Sequence, residues 1–305
     1  MNLLLDPQTI TELVNENYSL GEVQICNFIR RGFNDHYLVK AGGERYIFRV
    51  YLNHKYYIES PDAFQFELEL LEHLHTQDIP VARALPLKDG ELLGWTGTEL
   101  GKRAFALFVY AEGAEIDRGD LTKEESFAFG KTIAAFHLAA NTFQTELERY
   151  RLDLKYLVDE PLRRIAEQKD NTTSKFYAEH SEMIQETVAS WPIEKLVSAV
   201  ESLSVNSDEF GIIHSDLHLG NAHFQESKIT LFDFDHCAYG WRAYDLATAF
   251  YLPESQREAL FEGYESLRPL SQDEKECLPI FADLRHLWNI GDILAAERVT
   301  AEPKP

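Results

Sequence analysis

The chain is long enough for one or two domains and is strongly acidic. It has 305 residues, 45% of them hydrophobic, and a formal net charge of -22 at pH 7, so it can bury two modest cores. Nucleic acids and anionic membrane surfaces attract basic proteins, and the acidic balance therefore argues against both as partners.

The N-terminus and the cysteines favour a cytoplasmic location. Residues 1–9 lack the basic segment and long apolar run of a secretory signal. No stretch of the sequence approaches the length of a membrane span. Cys26, Cys237 and Cys277 are scattered, which excludes a disulfide framework and gives no zinc-site spacing. The composition does not indicate an oligomeric state.

The first third of the chain is predicted to form β-strands joined by short turns. Strands are expected over residues 23–30, 36–40, 45–51 and 104–110. The first two are joined by Gly32-Phe33-Asn34-Asp35, and Gly42-Gly43 turns the chain into the third. The last is followed by Ala111-Glu112-Gly113.

Helical periodicity dominates the rest of the chain. Phe64, Leu68, Leu71 and Leu74 recur at helical spacing and predict a helix over residues 61–77. Further helices are predicted over residues 122–143, 152–168, 174–203, 256–267 and 272–297. Thr122 or Asp120 is available as the N-cap of the first of these. The fold class is therefore α+β, with a β-rich lobe at residues 1–110 and a mostly helical lobe at residues 111–305.

The most informative segment is residues 211–235, GIIHSDLHLGNAHFQESKITLFDFD. Asp216 and Asn221 stand five residues apart on a predicted tight loop. A hairpin follows, with arms at residues 222–225 and 229–234. An antiparallel hairpin brings the start of its first strand beside the end of its second. We therefore expect Asp233 to lie within a few ångströms of Asn221.

This segment resembles the aminoglycoside phosphotransferase and choline kinase group of small-molecule kinases. Members of that group read H-x-D-x-x-x-x-N, then D-x-D, a small-residue turn and D-L-A. The chain supplies the set as His214, Asp216, Asn221, Asp233, Asp235, Gly240 and Asp245-Leu246-Ala247. The resemblance implies a two-lobed protein-kinase-like fold, with a small antiparallel sheet in the N-lobe and a mainly helical C-lobe. It also implies transfer of the γ-phosphoryl group of ATP, with Mg²⁺, to a hydroxyl of a small molecule such as an aminoglycoside, choline or homoserine.

The resemblance assigns roles around the loop. Asp216 is expected to orient the attacking hydroxyl and accept its proton, and Asn221 and Asp233 are expected to hold Mg²⁺ through their oxygens. His214 is expected to brace the loop rather than to act in catalysis. Asp235 and Asp245 are expected to tether the surrounding loops.

A nucleotide site is implied in the first lobe. Arg49 stands on the third strand where protein kinases carry a lysine, and its guanidinium matches phosphate oxygens. Glu67 is in the register of the family's acidic partner for this residue, in preference to Glu69 and Glu72. Asn34 lies in the loop that covers the phosphates in kinases.

The same resemblance gives a hinge and a candidate acceptor site. Backbone groups from Val109 to Glu112 are expected to bind adenine. Candidate residues lining the acceptor site are Tyr239, Trp241, Tyr244, Arg285 and Trp288, together with nearby acids such as Asp283. The aromatic rings would suit a quaternary ammonium, whereas Arg285 would suit a carboxylate such as that of homoserine. The sequence does not choose between these acceptors.

One alternative is a metal-dependent hydrolase. His214, Asp216, His218 and Asp233 form a plausible ligand set for zinc or manganese. That function would leave the spacing of Asn221, the Arg49 strand and the hinge unexplained.

Two further alternatives share the kinase-like fold. The replacement of the usual lysine by Arg49 leaves room for a non-catalytic nucleotide-binding module, although the intact loop residues argue against it. A Ser/Thr protein kinase needs a peptide-docking segment after the D-x-D motif. Only residues 236–244 are available there, so a small acceptor is favoured.

Overall fold

The structure is a computed structural model that describes residues 4–98, 101–206, 208–226 and 228–300. Its strands are β1 (Val23–Arg31), β2 (Asn34–Ala41), β3 (Glu44–Tyr51), β4 (Gly94–Thr98), β5 (Gly101–Val109), β6 (Phe210–Ile213), β7 (Ala222–Gln225), β8 (Lys228–Leu231) and β9 (Ala238–Trp241). Its α-helices are α1 (Pro7–Asn17), α2 (Asp62–Thr76), α3 (Lys123–Ala140), α4 (Glu160–Asp170), α5 (Lys175–Ser190), α6 (Ile193–Glu201), α7 (Arg242–Leu246), α8 (Glu254–Glu265) and α9 (Gln272–Thr300).

The N-terminal half forms an antiparallel sheet in the order β1-β2-β3-β5-β4. The four predicted strands are present, with ends shifted by a few residues. Helix α1 was not predicted. Asp6 caps it by accepting hydrogen bonds from Gln8 N and Thr9 N, and Ile10 and Val14 pack on the sheet. Strand β4 was also missed, because Gly94 and Gly97 weaken its strand signal.

Helix α2 links the sheet to the helical half. Its range agrees with the predicted residues 61–77. Phe64 and Leu71 of α2 share one core cluster with Phe129 and Ile133 of α3. The mixed α/β architecture with an antiparallel sheet and a helical C-terminal half confirms the predicted fold class. The lobe boundary near residue 110 stays a prediction.

The predicted helix over residues 174–203 is wrong as a single element. Helix α5 ends at Ser190, and α6 begins at Ile193. Pro192 lies between them, has no N–H group and disfavours a helical conformation in the residue before it. Helix α3 begins after the predicted cap Thr122, whose hydroxyl and backbone form a capping box with Glu125.

The short sheets of the second half position the predicted site. Strand β6 pairs with β9 and leads into the loop of residues 214–221. Strands β7 and β8 form the predicted hairpin, although its second arm ends at Leu231 rather than Phe234. None of the helices in the part of the chain that the structure describes is long and apolar enough to cross a bilayer.

Helices α3 and α8 approach closely enough to require glycine. An added Cβ at Gly263 would lie 1.9 Å from Phe127 O. Gly263→Ala should therefore lower the free energy of unfolding by about 1–3 kcal/mol, as overpacked cores do, although alanine is the better helix former. Urea unfolding measures the loss.

The control is Gly119→Ala, where no atom lies within 4 Å of the added Cβ. Its free energy of unfolding should change by less than about 0.5 kcal/mol. Equal stability of the two variants would contradict the close helix contact.

Candidate active site

One buried carboxylate shapes the loop of residues 214–221. Asp245 accepts hydrogen bonds from His214 N at 2.7 Å and Ser215 N at 2.8 Å. Ser215 has a φ of 64°, a left-handed conformation that is costly for a residue other than glycine. The His214 ring donates from Nε2 to Phe232 O at 2.9 Å. Asp245 is therefore a tether and His214 a brace, as the sequence predicted.

The loop and the hairpin bring three predicted residues together. Asn221 Nδ2 donates to Asp216 O at 2.8 Å and lies 3.3 Å from Asp216 Oδ2. The backbone N–H of Phe232 donates to Asn221 O at 3.0 Å. Asp233 directly follows Phe232 in the chain, so this hydrogen bond keeps Asp233 close to Asn221. Asp233 also has a left-handed φ of 63°.

Asp233 is held by cations from the N-terminal sheet. Arg49 Nη2 lies 3.0 Å from Asp233 Oδ1, and Arg30 Nη2 lies 3.4 Å from Oδ2. Arg49 Nη1 also donates to Glu67 Oε1 at 2.6 Å, and Tyr51 donates its hydroxyl to Oε2. The Arg49–Glu67 pair expected from the helix register is present.

The competing acids of α2 are engaged elsewhere. Glu69 accepts from Gln65, and Glu72 pairs with Arg83 at 3.2 Å. Glu67 is the acid of α2 that pairs with Arg49, and its side chain is fully buried.

The charges around Asp233 keep it ionised. Burial alone would raise the pKa of Asp233. The positive charge of Arg49 opposes this effect, and with the other nearby cations it lowers the pKa to about 2. Burial lowers the pKa of the neighbouring His36 to about 4, and this ring is therefore neutral at pH 7. The carboxylate is an ionised oxygen donor throughout the physiological range.

Asp235, two residues further on, is tied to the N-terminal half. It accepts from Lys55 Nζ at 2.8 Å, from the Tyr57 hydroxyl at 2.7 Å and from Asn34 Nδ2 at 2.9 Å. Asn34 Oδ1 in turn accepts from Lys55 at 2.7 Å. Asn34 was predicted in the loop that covers the phosphates, whereas in the structure both ends of its buried amide are used in this network.

Sequence reasoning missed two buried cations near the site. Lys55 lies outside every recognised motif. Arg149 donates to Ala63 O at 2.7 Å and to the carbonyls of Asp235 and Cys237. It thereby joins the first turn of α2 to the turn that follows Asp233. In the sequence, Lys55 and Arg149 are marked only by a positive charge among aromatic residues, and this pattern is too common to single them out.

A cleft lies between the sheet and the β7–β8 hairpin. Ile47, Ala82 and Phe108 form apolar walls, and Arg49 and Asp233 lie at its polar end. The predicted hinge residues Val109, Tyr110 and Ala111 line the same cleft. The Glu112 side chain does not line it and instead pairs with Arg45 on the surface.

The predicted acceptor residues lie in two places. Arg285 donates to Leu217 O at 2.9 Å and to Ser215 O, and it lies 3.6 Å from Asp216 Oδ1. Tyr244 and Trp288 are buried beside each other, with ring centroids 6.5 Å apart, and the Arg285 guanidinium lies over the Tyr244 ring. Trp241 instead packs between Phe210 and Phe281 in the core.

Comparison with known proteins agrees with this geometry. A family model described as "Phosphotransferase enzyme family" matches residues 26–277. The chain belongs to the phosphotransferase enzyme family. Homoserine kinase of Neisseria meningitidis serogroup B is 27% identical, with 86% of this chain and 80% of the kinase aligned.

Solved structures share the fold. A microcompartment-associated aminopropanol kinase has a TM-score of 0.74 at 23% identity, with 98% of this chain and 91% of that chain covered. Amicoumacin kinase in complex with AMP-PNP, Ca²⁺ and its ligand has a TM-score of 0.73 at 19% identity, with 94% of this chain and 85% of that chain covered.

The chain is therefore a small-molecule kinase that transfers phosphate to a hydroxyl group. The hydrolase, protein kinase and non-catalytic alternatives are set aside by this assignment. Among the residues with described positions, no three His, Cys, Asp or Glu side chains are grouped to hold a metal ion.

The Asp245 tether predicts a pH dependence of stability. His137 contacts Asp245 Oδ2 at 3.2 Å and the Tyr264 hydroxyl at 2.8 Å. Burial lowers the pKa of His137 to about 4, despite the opposing effect of Asp245. The unfolded chain gains this proton at about pH 6.5, so the free energy of unfolding falls as the pH drops from there towards 4, by up to about 1.4 kcal/mol per pH unit.

His137→Asn removes this titration, so the stability advantage of the wild type over the variant should narrow as the pH falls through this window. Urea unfolding at several pH values measures it. The exposed control His75→Asn should keep a constant difference from the wild type. A constant difference for His137→Asn would contradict the assignment.

Proposed function

We propose that the chain transfers the γ-phosphoryl group of ATP, with Mg²⁺, to a hydroxyl of a small molecule. The observation that carries this proposal is the placement of Asp216, Asn221 and Asp233 on one hydrogen-bonded loop and hairpin. Asp233 lines the cleft whose apolar walls lead to residues 109–111. A phosphate donor and a hydroxyl acceptor can meet at this point.

The donor atoms near Asp233 fit Mg²⁺. Asn221 Nδ2 donates to Asp216, which leaves Asn221 Oδ1 as the acceptor end of the amide. Asp233 supplies an ionised carboxylate that is 20% exposed. Mg²⁺ prefers such oxygen ligands and usually keeps water in its other positions. Asn221 and Asp233 would hold the ion, which when bound neutralises phosphate charge.

The cleft would hold a nucleotide with its base at the apolar end and its phosphates at the polar end. The apolar part beside Val109 and Ala111 would take the base, with backbone groups at the edge of the sheet available for hydrogen bonds. Arg49 and Arg30 at the other end would face the phosphates. The AMP-PNP complex of the related amicoumacin kinase fold supports a nucleotide donor.

Asp216 would handle the acceptor proton. Its carboxylate is partly exposed and is positioned by Asn221 on one side and by Arg285 on the other. It would accept a hydrogen bond from the attacking hydroxyl and then take its proton as the new O–P bond forms. Arg285 positions the loop through the Ser215 and Leu217 carbonyls rather than acting on the proton.

Asp216→Asn should lower kcat by about 100- to 10,000-fold, because the amide cannot accept the proton. Its affinity for ATP should stay close to that of the wild type. The rate is measured as ADP release with an alcohol that the wild-type enzyme phosphorylates. The affinity for ATP is measured by calorimetry. The exposed control Asp120→Asn should keep full activity. A fully active Asp216→Asn enzyme would break the assignment.

Asp233→Asn should remove the effect of Mg²⁺ on nucleotide binding, because the amide lacks the charge that attracts the ion. In the wild type, Mg²⁺ should strengthen ATP binding by at least about tenfold. Calorimetry with and without Mg²⁺ compares the two proteins, and the metal-free titration is the internal control. The same gain from Mg²⁺ in both would contradict the role of Asp233.

A further inference from the structure

Asp292 lies on α9, close enough to Asp216 for the two charges to influence each other. Arg285, on the same helix, is 3.6 Å from Asp216. Asp292 follows Arg285 by seven residues, which is two helical turns, so the two side chains share one face. At a rise of about 1.5 Å per residue, Asp292 lies about 10 Å further along the axis.

The charge of Asp292 has no strong partner. Its Oδ1 accepts from the Tyr56 hydroxyl at 2.9 Å, and His236 Nε2 lies at 3.9 Å. Within the described residues, no lysine or arginine is ion-paired with it. Burial raises the pKa of Asp292 to about 6, His236 opposes the rise and the charge of Asp216 adds to it. A ligand cation would stabilise this half-buried carboxylate.

The rings beside Asp292 carry unused polar atoms. His236 packs against Trp288 with ring centroids 5.3 Å apart, and against Phe33 at 5.2 Å. Trp288 Nε1 and His236 Nδ1 are buried and have no hydrogen-bond partner in the part of the chain that the structure describes. Buried polar atoms without a partner are costly and usually serve a ligand or an ordered water. This region is therefore polar, aromatic and anionic.

The cations that contact this region are already engaged. Arg285 donates to two loop carbonyls, and Arg164 donates to Gly291 O and pairs with Glu160. Lys55 is ion-paired with Asp235 at 2.8 Å. These three side chains are at most 5% exposed. A carboxylate on the acceptor would lie near two acids, and among the described residues the cations in contact with this region are all engaged, which makes its binding unfavourable.

We propose that the acceptor is a small alcohol that carries a protonated amine and no carboxylate, and that Asp292 binds the amine while Asp216 receives the hydroxyl proton. The inference rests on the proposed function and names its substrate class. It points away from homoserine, even though a homoserine kinase is among the similar sequences. Trp288 and His236 pack against each other and form the aromatic surroundings of Asp292.

Three matched acceptors test the proposal. 3-Amino-1-propanol has the hydroxyl and the amine, homoserine adds a carboxylate to the same skeleton, and 1,3-propanediol replaces the amine with a hydroxyl. The value of kcat/KM for 3-amino-1-propanol should exceed those of both others by at least about tenfold. ADP release measures the rates, and mass spectrometry identifies the phosphorylated products.

The variant Asp292→Asn tests whether Asp292 binds the amine, and Asp283→Asn is its control. Asp283 is an acid on the same helix, nine residues earlier, and therefore on the opposite face. Asp292→Asn should raise the KM for 3-amino-1-propanol by at least about tenfold and leave the KM for ATP unchanged. Asp283→Asn should change neither value. Melting temperature and ATP affinity show whether each variant is folded.

Several outcomes would overturn the inference. Homoserine or 1,3-propanediol used as well as 3-amino-1-propanol would do so, and so would turnover of none of the three. An unchanged acceptor KM in folded Asp292→Asn would remove Asp292 from the subsite. Magnesium-dependent ATP binding by the wild type separates the two levels of failure. If that binding is absent, the proposed function itself fails, and if it is present, only the acceptor class does.

Discussion

Two carboxylates, one on either side of Phe234, tie the turn that follows the β7–β8 hairpin to the N-terminal half of the chain. Asp233 pairs with Arg49 at 3.0 Å, and Asp235 pairs with Lys55 at 2.8 Å. Lys55 and Asp235 are both buried, so loss of either partner costs roughly 3–5 kcal/mol because a charge is left unpaired. The cleft exists in its present form because these pairs fix how close the hairpin lies to the sheet.

The same region stores backbone strain next to the reacting groups. Ser215 and Asp233 both adopt left-handed conformations, and each adjoins a strand or a tethered loop that holds it there. Asp245 stabilises the first position with two backbone hydrogen bonds. Strain of this kind persists only where the surroundings over-determine the backbone. It allows Asp216 to point out of the loop and Asp233 to turn towards the cleft.

Two acids near the site, Asp233 and Asp292, have opposite electrostatic surroundings. Arg49 lowers the pKa of Asp233 below its usual value, so this carboxylate is always charged and suits a metal ion. Asp292 contacts a hydroxyl and a histidine and has no ion-paired lysine or arginine among the described residues, and burial raises its pKa. Pairs of acids whose surroundings push their pKa values apart are common where one site performs two tasks.

The sequence alone determined the parts of the site that depend on local spacing. Asp216, Asn221 and Asp233 were predictable because one loop and one hairpin bring them together, whereas Glu67 was predicted from the helix register that the family resemblance implies. Tertiary structure decided the rest. Lys55 and Asp235 are 180 residues apart, and no periodic pattern encodes such a contact. Trp241 and Trp288 are both buried in one core cluster, and only tertiary packing decides that the first ring meets Phe210 and Phe281 and the second meets His236 and Tyr244.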